Sequence, residues 1–171
     1  MKRGIWLVTM LALAACAEKS VIVAPDVPAA LRAPAGQTLY LEALAAGVQI
    51  YECSRKGDAA FEWAFKAPRA ALVDRSGKSL GKHYAGPTWE SDDGSRVVGQ
   101  VAARDPGPTP SAIPWLLLSA KSNSGSGTFA EAKSIQRVAT SGGIAPTTPC
   151  TTAKLNEVAA VPYTATYYFY R

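Results

Sequence analysis

Residue types able to do chemistry converge on one stretch of this 171-residue chain, Gly81-Lys82-His83-Tyr84-Ala85-Gly86-Pro87-Thr88-Trp89-Glu90-Ser91-Asp92-Asp93-Gly94-Ser95. It holds the only histidine, one of four tryptophans and three carboxylates, punctuated by three glycines and a proline. An imidazole beside Glu90 or Asp92 is the raw material of acid–base catalysis, so His83, Glu90 and Asp92 are the catalytic candidates of a hydrolase. The same stretch offers a binding surface in His83, Tyr84, Trp89, Glu90 and Asp92, where flat rings stack and polar tips hydrogen-bond. Against both stand a hydrogen-bonded structural histidine and a Trp89 that caps the core. Asp92-Asp93-Gly94-Ser95 lacks the alternating oxygen ligands and distal glutamate of a calcium loop and reads as a solvated turn. Ser124-Gly125-Ser126-Gly127 is out of register for a nucleophile elbow. With no recognisable catalytic spacing, binding through a His83–Ser95 loop ranks above catalysis. No metal site and no cofactor are expected.

The elements that must position this stretch are strands. Thr38–Ala43 and Val48–Cys53 both approach a period of two, with Ala45-Ala46-Gly47 available as a turn; a helix through Leu39–Ala46 is the rival reading. In the second segment Val48, Ile50 and Glu52 share one face and Gln49, Tyr51 and Cys53 the other. Phe61-Glu62-Trp63-Ala64-Phe65 alternates, which directs three aromatics toward the core. Pro68 ends that strand or demotes it to an edge, and Ala70–Val73 follows as a short strand. Asp74–Lys78 makes a hairpin-type connection. Arg96–Ala103 is a further strand, Asp105–Pro110 a surface loop, and Ile113–Ser119 a buried strand. Phe129–Thr140 fits strand better than helix, and Val161–Tyr170 carries the strongest strand signal. Short strands, twelve prolines and fourteen glycines predict one all-β domain over residues 36–171. Its architecture is an antiparallel sandwich or barrel with long Gly/Pro-rich loops and room for one short helix.

The N-terminus speaks to location. Met1-Lys2-Arg3 precedes an apolar run, Ile5–Ala15, too short for a stable membrane anchor and of the form of an export signal. It ends in Leu13-Ala14-Ala15-Cys16, which resembles a bacterial lipobox, so residues 1–15 are expected to be a signal peptide and Cys16 the lipidation site. An ordinary secretory signal is the alternative. Ala17 after the cysteine argues against inner-membrane retention, which makes the periplasmic face of the outer membrane the expected address; a secreted or periplasmic soluble protein is the other outcome. Residues 16–35, with Pro25, Pro28 and Pro34, read as anchor and tether, with Val27-Pro28 and Leu31 close enough to touch the domain. Losing Lys2 and Arg3 lowers the net charge from +5 to +3, and no basic run interleaved with aromatics exists, so nucleic acid is excluded as a partner. The expected partners are the membrane, through the lipid, and a small molecule, glycan or envelope protein. Cys53 and Cys150 then remain as a pair, and a structural disulfide fits an oxidising compartment better than a metal or redox role.

Several motifs have a collective match. Gly47-Val48-Gln49-Ile50-Tyr51-Glu52-Cys53, His83–Glu90, Ile113-Pro114-Trp115-Leu116-Leu117, Ile135–Gly143 and Val161–Ala165 together resemble a family of domains of unknown function, DUF3455. The resemblance spans most of Pro28–Tyr170 and implies an exported β-rich domain; it brings no established activity.

Overall fold

The computed structural model describes residues 21–58 and 60–171. The expected signal peptide and Cys16 lie outside the described residues. Eight strands follow one another in chain order: β1 (Leu39–Lys56), β2 (Ala60–Val73), β3 (Ser79–Tyr84), β4 (Thr88–Ser91), β5 (Arg96–Asp105), β6 (Trp115–Ser124), β7 (Ser134–Gly142) and β8 (Val158–Tyr170). Each pairs antiparallel with its sequence neighbours, and β8 returns to β1, closing a barrel. Closure removes the free edges that an open meander would present. The fold expectation therefore resolves to a barrel. In place of the one short helix are two three-residue 3₁₀ turns, Ala29–Leu31 and Thr152–Lys154.

Two strand assignments need correction. The predicted pair Thr38–Ala43 and Val48–Cys53 is a single 18-residue strand, and the helical alternative for Leu39–Ala46 is not adopted. Gly47 does not turn the chain. It lets β2 cross close by, since a Cβ there would fall within 2.5 Å of the Ala70 Cα. Likewise Pro68 does not end its strand: β2 runs from Ala60 to Val73 through it. Only Ala70–Val73 pairs with β3, so the missing Pro68 N–H falls where β2 has no second neighbour.

The strand alternation sorts side chains to the two faces. From β8, Tyr163, Ala165, Tyr167 and Phe169 point inward and are buried. They pack with Leu72, Trp89, Val97, Leu118, Phe129 and Ile135. One barrel end carries the Asp74–Lys78 and Asp92–Ser95 turns and the β6–β7 connection, from which Phe129 plugs the interior at zero exposure. Asp74 receives the Ser76 and Lys78 N–H groups on Oδ1. Asp93 ties two connections together: Oδ1 accepts from Ser95 N–H and Oδ2 from Thr128 N–H, both at 2.8 Å. The Ser95 hydroxyl, which also donates to Oδ1, together with these N–H groups holds the Asp93 carboxyl well below the usual carboxylate range.

At the opposite end, here the mouth, lie the β1–β2 turn, residues 85–87, the β5–β6 loop and the β7–β8 loop. The Cys53–Cys150 disulfide, with Cα atoms 5.5 Å apart, fastens the last of these to β1. Trp63 Nε1 donates to Thr148 O and Tyr51 Oη to Gly143 O, securing the same loop. Phe61, Trp63 and Phe65 do share a face, that of Tyr51 and Cys53, but they are not core. They sit on the part of β2 that projects past β3, and Phe65 remains 53% exposed.

Outside the barrel, Val27 and Leu31 are buried against Leu117 and Val138. Gln136 Nε2 donates to Leu31 O at 2.7 Å. The segment before β1 is thus a packed strap from Val27 onward.

Candidate functional site

The central stretch is two strands and two turns, not a loop. His83 lies inside β3, opposite Trp89 of β4, and both rings point into the barrel. They stack at 4.4 Å with planes 17° apart, and Tyr167 meets each edge-on at 5.1 and 5.3 Å. His83 Nδ1 is 2.8 Å from Thr88 O. A carbonyl only accepts, so Nδ1 carries the proton and Nε2 holds the free lone pair. Burial drives the imidazole pKa down to about 3, outweighing the upward pull of the Thr88 carbonyl, and the Arg137 charge lowers it further. The ring is neutral across the physiological range.

The other sequence candidates do not join it. Strand alternation turns Lys82, Tyr84 and Glu90 to the outer face. There Glu90 accepts from Tyr84 Oη at 2.6 Å and pairs with Lys82 Nζ at 3.1 Å and Arg96 Nε at 3.7 Å. Those donors lower the Glu90 carboxyl pKa. Asp92 sits in the turn at the plugged end, where it accepts from Ser79 Oγ. The geometry brings together His83 and Trp89 only; Tyr84 and Glu90 form a surface network, and Asp92 belongs to the far end. Among the described residues no cluster of three or more His, Cys, Asp or Glu side chains could hold a metal ion.

What His83 and Trp89 do line is a cavity of about 490 Å³ opening at the mouth, to which all eight strands contribute. Its volume falls within the range of small-molecule sites. Leu116, Leu118 and Ile113 supply apolar wall, while Gln49, Tyr51 and Arg137 bring polar groups. The β5–β6 loop is folded down to form part of that wall. Ile113 N–H donates to Gly142 O, Thr140 Oγ1 donates to Ile113 O, and Arg137 donates to Pro114 O. Gly143, at φ +80°, lies against Tyr163, Gln49 and Ile113, where a Cβ would come within 2.9–3.0 Å of all three.

Two donors in this region are buried without a partner among the described residues, Gln49 Nε2 and Trp89 Nε1. Unpaired buried donors are uncommon in native proteins and each one costs about 1–3 kcal/mol. Gln49, Arg137 and Gly143 lie far from the central stretch in sequence. One signal for the first was present: β1 turns its more polar face, Gln49 and Tyr51, inward and leaves Val48 and Ile50 outside. Arg137 is the one charged residue in Ile135-Gln136-Arg137-Val138, a segment that alternation splits between the two faces of its strand.

Residues 34–171 match the family model described as a protein of unknown function, DUF3455, and the chain belongs to that family. No curated protein and no solved structure matches it.

Proposed function

We propose that this DUF3455 protein is a non-catalytic binding protein of the bacterial envelope, holding a small organic molecule inside its barrel. The observation that carries this reading is a cavity of about 490 Å³ opening at the mouth of the barrel, walled by apolar and aromatic side chains with the Arg137 guanidinium among them. The leucines, isoleucine and aromatics of the lining would bury a ligand's apolar part, and the few polar groups among them would orient it. The binding surface is then the barrel interior, with His83 and Trp89 as its floor, in place of an exposed loop. The acid–base alternative finds less support: an imidazole with a pKa of about 3 is a poor base at neutral pH. The envelope address belongs to the same proposal. It rests on the lipobox-like Leu13–Cys16 and on a disulfide suited to an oxidising compartment.

A thermal-shift screen of the purified protein against sugars, peptidoglycan fragments, nucleotides and small organic acids tests the reading. A true ligand at a hundredfold excess over its Kd stabilises the fold by about 2.7 kcal/mol. Trp89→Phe and Gln49→Leu, which reshape the lining, should weaken a hit while the unliganded variants keep a cooperative transition. A hit unaffected by either change would move the site elsewhere, and turnover lost in His83→Gln would revive the enzyme.

A further inference from the structure

We propose that the cavity takes a small carboxylic acid with an apolar body, its carboxylate seated against Arg137. The inference rests on the ligand-binding reading above and adds the class of ligand. Arg137 lies on β7 between Leu116 of β6 and Tyr167 of β8, both of which also line the cavity. Its Nε and Nη2 donate to a single neutral acceptor, Pro114 O, at 3.2 and 2.7 Å. Among the described residues it pairs with no carboxylate, and no Asp or Glu lines the cavity. A half-buried guanidinium held by one carbonyl keeps an uncompensated charge and unspent donors. That charge is felt by His83, Tyr51 and Tyr167, so it acts within the cavity and not only at its rim.

The rest of the lining has the same sign. Arg104 and Lys66 stand at the mouth; Lys66 is engaged by Glu52 at 3.3 Å, whereas Arg104 has no ion-pair partner among the described residues. An oxyanion compensates the Arg137 charge, and a planar carboxylate matches the planar guanidinium fork better than a point anion does. The wall of Ile113, Leu116, Leu118 and Trp89 requires a hydrocarbon or aromatic body, which separates this ligand from inorganic anions and from sugars.

Titration of tryptophan fluorescence, checked by calorimetry, should compare phenylacetate and octanoate with the neutral amides phenylacetamide and octanamide. At least one acid should bind about tenfold or more tightly than its amide, the discrimination expected of one charge-assisted contact. Arg137→Gln should erase that preference and Arg137→Lys retain part of it. Acids and amides of equal affinity would overturn the carboxylate assignment and leave the binding cavity standing. Failure of all four to bind to folded protein would overturn both. Should Arg137→Gln not fold, the acid–amide comparison on the unaltered protein still decides.

Discussion

His83 is the residue at which sequence and structure part most usefully. Its type promised acid–base chemistry; its surroundings remove the charge that such chemistry uses. An unfolded imidazole takes its proton near 6.5, and in the barrel it does so only near 3. Between those values the unfolded state binds the extra proton, so stability is full above about pH 6.5 and falls as pH falls toward 3, by about 1.4 kcal/mol per pH unit. Urea unfolding at pH 7 and pH 5 checks this. The protein should lose about 2 kcal/mol more over that interval than His83→Gln, whose side chain does not titrate. Equal losses would mean that the imidazole is already solvated in the folded state. The sequence could not reveal this, because a histidine's face depends on whether its strand neighbours are inside or outside. Here His83 and Trp89 alternate with Lys82 and Glu90, and the inward pair became evident only once β3 and β4 were in register.

At the scale of elements, the strands were largely legible and their limits were not. The period of two in β8, with Tyr163, Ala165, Tyr167 and Phe169 on one side, corresponds to the buried face. The Asp74–Lys78 connection and β5 also follow their local patterns. What failed was continuity. Gly47 and Pro68 carry turn and breaker signals, yet each is explained by what the neighbouring strand does, and that information is not local. The aromatics of β2 illustrate the same limit: alternation puts them on one face, but only the pairing of β2 with β3 determines how far the core extends. The disulfide is the element-level feature with the clearest energetic signature. It joins residues 97 apart, and the chain-entropy model gives a closed loop of this size about 4–5 kcal/mol. Cys53→Ser/Cys150→Ser should lose an amount of that order in denaturant unfolding while keeping a β-type circular dichroism spectrum, since Tyr51 and Trp63 also hold the β7–β8 loop. A loss below about 1 kcal/mol would show that these hydrogen bonds already order the loop in the denatured ensemble.

For the whole molecule, barrel closure is what assembles the site. Gln49, His83, Trp89 and Arg137 come from four strands, and their convergence depends on all the intervening registers. No window of sequence contains that arithmetic. The strap before β1 is likewise a long-range feature. Leu31 is fully buried against the outer face of β5 and β6, with Gln136 holding its carbonyl. Leu31→Ala should cost about 3 kcal/mol, read as a lower urea midpoint with an unchanged slope. A changed slope would instead mean that the strap unfolds separately from the barrel.

The strap also has a direction. Val27 and Leu31 pack among Ala103, Trp115, Leu117 and Val138, toward the mouth, and the chain then descends to Thr38 at the plugged end, where it bonds with Arg171. Val27 lies eleven residue steps beyond Cys16, a reach of at most about 40 Å even when fully extended. If Cys16 carries the lipid, the leash leaves the barrel from the open half of its wall. The opening is then kept within about one protein diameter of the bilayer, and an amphiphilic cargo would pass between membrane and cavity without a journey through open water.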